Sequence, residues 1–213
     1  MSSSSSESES AASSLPPSEW VVRFAHLVPP VAQVLDLACG SGRHARFFAG
    51  RGASVVAVDR DPQALAALAT VAGVRILQAD LEGASWPFQT AQFDAIVVTN
   101  YLHRPLFPDL VAALRPGGVL IYETFMLGNQ AFGPPSNPQF LLAPDELLHA
   151  FVPPLALVAF EQGVIRRPAA VQRLVAIAAG PSGGKSTSES TSELNSELNS
   201  DLNSIAPHRL EID

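Results

Sequence analysis

Asp36, Asp59 and Asp80 stand at the ends of three separate apolar runs, and a small-residue loop, Ala38-Cys39-Gly40-Ser41-Gly42, follows the first of them at once. An ionised carboxylate accepts two hydroxyl hydrogen bonds together, attracts cations and repels phosphates. Residues 33–37 read as a buried parallel strand and residues 43–51 as the helix after it. Glycines at such a junction let the backbone turn tightly and come close to a ligand. The stretch Gly40-Ser41-Gly42-Arg43-His44-Ala45 also fits the dinucleotide pattern G-x-G-x-x-G/A, a weak signal by itself. Asp36 separates the candidate ligands, because a carboxylate just ahead of the glycines disfavours a pyrophosphate on that helix N-terminus and suits a ligand carrying positive charge.

The acids recur where a sheet edge binds ligands. Residues 54–59 form a second β-branched run ending in Asp59, which follows Gly42 by 17 positions (59 − 42). That interval places a second-strand carboxylate near ribose hydroxyls. Residues 74–81 read as a third strand reaching Asp80 and Leu81. Any one of these acids has a plain alternative as a helix cap or loop carboxylate, but three consecutive strand ends argue jointly for a ligand edge. Residues 93–100 read as a fourth strand ending in Asn100, and Leu114-Arg115-Pro116-Gly117-Gly118 leads from a helix end through a turn into a fifth.

As a set, Asp36-x-Ala38-x-Gly40-x-Gly42, Asp59, Asp80 and the Leu-x-Pro-Gly-Gly turn resemble the motifs of the class I, Rossmann-like S-adenosylmethionine-dependent methyltransferases, over about residues 34–125. Ala38 in the first glycine position is the one departure in motif I. More narrowly, residues 100–107 and 122–125 are similar to small bacterial methyltransferases of the tellurite-resistance type. The resemblance implies a doubly wound, mostly parallel seven-stranded sheet with an antiparallel last strand and helices on both faces. It implies S-adenosyl-L-methionine as cofactor, held by Asp36, Ala38, Gly40, Gly42, Asp59, Arg60, Asp80, Leu81 and Asn100. In that set Asp59 takes the ribose, Asp80 the adenine amino group, and Leu81 offers an amide and an apolar wall. It implies a methyl acceptor in front of strand four, where His103 has the chemistry of a base and Arg104 that of an anion-binding group. Asn100-Tyr101 lacks the prolines of the Asn/Asp-Pro-Pro-aromatic motif of amino-methylating relatives.

Other signals are blander. Cys39 sits where a small apolar filler is wanted, without a base beside it in the sequence. Residues 179–186, Ala-Gly-Pro-Ser-Gly-Gly-Lys-Ser, mimic a phosphate-binding loop, but the Ser/Thr/Glu stretch that follows supplies no helix to complete it. No metal site is expected. Residues 126–143 form a long loop after strand five, at the ligand edge, and read as a lid. Residues 155–165 and 170–178 read as strands joined by a link too short for a parallel crossover, hence antiparallel.

Composition divides the chain into an acidic Ser-rich arm (1–19), a domain (20–179) and a low-complexity tail (180–213) with a Glu/Asp-Leu-Asn-Ser repeat. The chain has a formal net charge of −7. All of it falls in the arm and tail, because residues 20–179 carry 11 Lys plus Arg against 11 Asp plus Glu. A domain without a net field favours a small-molecule acceptor over nucleic acid. No apolar run reaches the length of a membrane span, and a single cysteine excludes an internal disulfide and fits the cytoplasm. Residue types alone leave a nicotinamide oxidoreductase and a catalytically silent binding module as rivals to methyl transfer. Deleting residues 1–14 and 183–213 is expected to leave the melting temperature nearly unchanged, since both are poor in apolar residues. A fall of many degrees in a thermal melt would show that one of them is docked.

Overall fold

The computed structural model describes residues 15–180. Seven strands form one sheet in the order β3-β2-β1-β4-β5-β7-β6. They are β1 (Gln33–Leu37), β2 (Ser54–Asp59), β3 (Val74–Gln78), β4 (Phe93–Thr99), β5 (Leu114–Phe125), β6 (Leu155–Val164) and β7 (Ala170–Ala178). The first five run parallel, and β7 is antiparallel to both of its neighbours, β5 and β6. The strand order reverses between β1 and β4, where β2 and β3 lie on one side and β5 on the other. Ligands of open α/β sheets bind at the carboxyl ends of the strands beside such a reversal.

Helices cover both faces. α1 (Glu19–Phe24), α2 (Arg43–Ala49) and α3 (Pro62–Ala66) bury Trp20, Val21, Phe48 and Leu65 against Val34, Val55, Val97 and Ile121 of the sheet. α4 (Phe107–Ala113) and α5 (Glu146–Phe151) bury Leu110, Leu147 and Phe151 against Leu35, Ile96, Leu120 and Tyr122 on the other face. Strand side chains alternate between these two cores, so both faces of the central strands are apolar. That alternation sends Asp36 to the α1–α3 face, between Leu35 and Leu37.

Several local details add to this outline. The β3–β4 connection contains no helix: Pro87 interrupts it, and Trp86 and Phe88 fill the space instead, Phe88 meeting Phe93 edge-on with centroids 5.2 Å apart. The Pro-Gly-Gly turn lies inside β5. The register passes from Phe93↔Leu114 to Ala95↔Val119, a bulge that absorbs residues 115–118. Gly118 is required there, as a Cβ would stand 2.8 Å from the Arg115 carbonyl oxygen and 3.0 Å from that of Phe93. The folded domain also begins before the expected boundary at Trp20. Ser18 is buried, and its Oγ accepts the Trp20 amide at the start of α1. The phosphate-loop mimic and the tail repeat lie almost wholly outside the described residues. No described helix is long and apolar enough to cross a membrane, and no cluster of potential metal ligands occurs among the described residues.

Candidate functional site

At the carboxyl edge of β1–β5 lies an open cavity of about 370 Å³, within the usual size range of small-molecule sites. Six of the expected residues line it: Ala38, Asp59, Arg60, Asp80, Leu81 and Asn100. They come from the ends of β1, β2, β3 and β4, so parallel strands in register bring together positions up to 62 residues apart (100 − 38). Ala38 has φ +50° and Asn100 φ +55°. Left-handed backbone at non-glycine residues costs about 1 kcal/mol or more, and such strain gathers at ligand sites. The positive φ of Ala38 explains why a glycine suits this position of the motif.

Asp59 holds the loop as well as facing the cavity. Its Oδ2 accepts the Gly40 amide at 2.8 Å and its Oδ1 the Asp61 amide at 3.0 Å. Each oxygen keeps a lone pair for a hydroxyl of a ligand. Asp80 caps the turn after β3, its Oδ1 accepting the Glu82 amide at 3.0 Å, and its side chain also lines the cavity. A Cβ on Gly40 would meet nothing within 4 Å, which leaves open space above the loop.

Gly42 and Asp36 do other work. Gly42 has φ +77°, and a Cβ there would lie 2.3 Å from Leu68 Cδ1, so its bareness serves packing against the α3 side. Asp36 is buried and absent from the cavity wall. Its Oδ2 accepts the Ala45 amide at 2.8 Å, satisfying one of the donors that the first turn of α2 leaves unpaired. Burial pushes the Asp36 carboxyl up to about 8, against the opposing pull of the Ala45 amide and Arg43. The expectation that Asp36 presents charge directly to a ligand is therefore corrected: it builds the loop–helix junction. Burial, with Asp36 and Asp59 nearby, likewise drives the Cys39 thiol upward, which leaves it un-ionised and unreactive.

Around Asp36 runs a buried polar row not legible in the sequence. His44 on α2 is pushed down to about 3 by burial and by Arg43. Its Nε2 accepts the Ser18 amide at 3.1 Å, which assigns the proton to Nδ1, 3.4 Å from Thr99 Oγ1. Ser18 Oγ donates to Glu123 Oε1 at 2.8 Å, and Glu123 Oε2 pairs with Arg173 Nε at 2.6 Å. In register, Thr99, Glu123 and Arg173 face one another across β4, β5 and β7. The row thus ties the segment before α1 to the back of the cavity wall.

His103 and Arg104 do not line the cavity. His103 precedes the 3-10 turn Arg104–Leu106, and its side chain makes no capping hydrogen bond. Arg104 is committed elsewhere: its Nη2 donates to Glu146 Oε2 at 2.9 Å and to the Leu141 carbonyl at 3.0 Å, and its Nη1 donates to the Gln139 carbonyl at 2.9 Å. That fork staples the end of loop 126–143 to α5. Asn129, also buried, fixes its start by donating to the Gly133 and Pro135 carbonyls and accepting the Ala170 amide. The loop expected as a lid does reach the site, with Pro135 and Phe140 in the cavity wall. Arg104→Ala should accordingly lower stability by about 1–2 kcal/mol through lost charge-assisted hydrogen bonds. Its signature is a lower melting temperature that Glu146→Ala reproduces and that does not add in the double mutant.

The resemblances agree with this geometry. Residues 34–118 match the model of a family described as a methyltransferase domain. A tRNA U34 carboxymethyltransferase from Methylococcus capsulatus is 31% identical over 124 residues, covering 51% of this chain and 37% of that protein. Trans-aconitate 2-methyltransferase from Variovorax paradoxus is 38% identical over 106 residues, covering 45% of this chain and 39% of its own. The chain spans well under half the length of these two curated relatives. TehB from Haemophilus influenzae shares the fold at 18% identity and a TM-score of 0.62, over 74% of this chain and 61% of TehB. Residues 34–118 thus resemble a methyltransferase domain, and the described residues share the Rossmann-like fold of TehB.

Proposed function

We propose that this protein transfers a methyl group from S-adenosylmethionine to a small-molecule acceptor. The observation that carries the reading is the convergence of Ala38, Asp59, Asp80 and Asn100, one from each of four strand ends, on a single cavity. Asp59 suits the ribose hydroxyls, Asp80 and the buried Leu81 suit the adenine, and the open space above Gly40 suits the amino-acid end. When bound, the cofactor supplies a methyl group on a sulfonium, already joined to a good leaving group. The protein's own contribution is then positioning and exclusion of water. Phe125, Pro135 and Phe140 form an apolar wall for that purpose. Neither His103 nor Arg104, both outside the cavity wall, is needed in this account.

The two relatives' names point to different acceptors, a tRNA and a small acid. A small molecule fits better here, because the cavity wall carries Asp59, Asp80 and Glu82 against Arg60 alone, a poor surface for a phosphate backbone. Incubation with methyl-labelled cofactor and separate pools of small metabolites and of tRNA tests the reading. Label is expected in the metabolite pool. Label confined to tRNA would overturn the acceptor assignment, and none in either would favour a binding module without chemistry.

A further inference from the structure

The loop after β5 places two residues in the cavity wall, Pro135 and Phe140, and a polar side chain fixes the backbone at each. Asn129, buried at the start of the loop, donates to the Pro135 carbonyl at 3.1 Å. The Arg104 fork donates to the carbonyls of Gln139 and Leu141, the two neighbours of Phe140. The Phe140 amide donates to the Asn137 carbonyl at 3.0 Å, and the Leu142 amide ties the loop back to the Phe125 carbonyl of β5 at 3.0 Å. Phe140 is nevertheless 51% exposed while its ring lines the cavity. An aromatic ring held at a cavity mouth on so well bonded a backbone is a ready contact surface.

Sheet order divides the wall in two. The charged lining residues, Asp59, Arg60, Asp80 and Glu82, all follow β2 and β3. Phe125 ends β5, three strands from β2 and so roughly 14 Å away along the sheet edge. The Leu142 amide joins the loop end to Phe125, which sets Phe140 on that same side. Thr124, the polar lining residue of β5, is only 2% exposed. The β5 side is thus a wall of two aromatic rings and a proline ring. Such rings gain from offset or edge contact with another flat ring beyond what burial of area alone gives.

We propose that the methyl acceptor carries a flat aromatic or conjugated ring and docks it on Phe140, at the β5 side of the cavity, while the cofactor occupies the β1–β3 side. This rests on the methyl-transfer reading and names the substrate class of that site. Phe140 is a specificity residue in this scheme: it touches the acceptor and selects flat rings over saturated ones built on the same skeleton.

The test measures binding to the intact protein saturated with S-adenosylhomocysteine, using 2-naphthol and decahydro-2-naphthol. The two probes share a carbon skeleton and a hydroxyl and differ in flatness. Failure to bind S-adenosylhomocysteine at all overturns methyl transfer and this proposal together, whereas the probes address the proposal alone. 2-Naphthol is expected to bind on the order of 10-fold more tightly than its saturated counterpart. Phe140→Leu keeps an apolar side chain without a ring. It should weaken 2-naphthol by about 3- to 10-fold and move decahydro-2-naphthol little. S-Adenosylhomocysteine affinity and melting temperature should stay unchanged, because the Phe140 ring is half exposed and stands apart from the acids of β2 and β3. Equal affinity for the two probes, tighter binding of the saturated one, or binding of neither overturns the preference for a flat ring. A Phe140→Leu protein that binds 2-naphthol normally, or that loses S-adenosylhomocysteine affinity instead, overturns the role given to Phe140.

Discussion

Asp59→Ala is expected to weaken S-adenosylhomocysteine binding by about 1–3 kcal/mol for the lost ribose hydrogen bonds alone, or roughly 5- to 150-fold. The structure adds a second contribution, because Asp59 also restrains the motif I loop through the Gly40 and Asp61 amides. Without the carboxylate the Gly40 amide loses its partner, and although the Cys39 amide still donates to the Val58 carbonyl of β2, the site is less pre-organised for binding. Asp59→Asn separates the two effects. An amide keeps one acceptor oxygen, enough for one of the two backbone donors, and its NH2 cannot replace the other. Its affinity should therefore fall between wild type and Asp59→Ala. Calorimetric titration of the three proteins gives the series directly, and unchanged affinity in Asp59→Ala would remove Asp59 from the site.

Asp36→Ala should cost more in folding, about 2–4 kcal/mol, since it leaves the Ala45 amide unpaired in a buried place and opens a small void under α2. Asp36→Asn should cost far less, because its carbonyl oxygen still accepts that amide. The more telling comparison is pH dependence. In the folded protein the Asp36 carboxyl titrates at about 8, above its value near 4 in an unfolded chain. Stability from this group is therefore complete below about pH 4 and is lost as pH rises through 8. His44, pushed down to about 3, runs the other way: its contribution is present above about 6.5 and lost as pH falls through 3. Arg43 and Asp59 also act on Asp36, the first lowering and the second raising its pKa, but burial outweighs both. Between about pH 4 and 6.5 the two slopes oppose each other, and above that only Asp36 is left. Wild-type stability should fall by about 1–2 kcal/mol from pH 6.5 to 8.5, and Asp36→Asn should be flat over that window. Denaturant melts at the two pH values settle the matter; an equal fall in both proteins would show that Asp36 is ionised throughout.

The parts of this molecule that were readable in advance are those with local causes. β-Branched runs ending in acids mark β1, β2 and β3, and the short link after residue 165 compels the antiparallel β6–β7 pair. The acids at 59 and 80 reach the cavity because parallel strands in register end at one edge. What could not be read depends on long-range pairing. Asp36 looks like its two counterparts in the sequence, but it precedes the sharp turn at Ala38 and, by the alternation of β1, points at α2 instead of the cavity. Arg104 finds Glu146, 42 positions away, and Ser18 finds Glu123, 105 positions away. Neither partner is marked by a local pattern. The absence of a helix between β3 and β4 has a local cause in Pro87.

The central claim is that the cavity at the ends of β1–β4 holds S-adenosylmethionine, and titration of the intact protein with S-adenosylhomocysteine and, separately, with NAD tests it most directly. Saturable one-to-one binding of S-adenosylhomocysteine, weakened in Asp59→Ala, is expected, with no heat of binding from NAD. Binding of NAD with none of S-adenosylhomocysteine would contradict it and return the glycine loop to the dinucleotide reading.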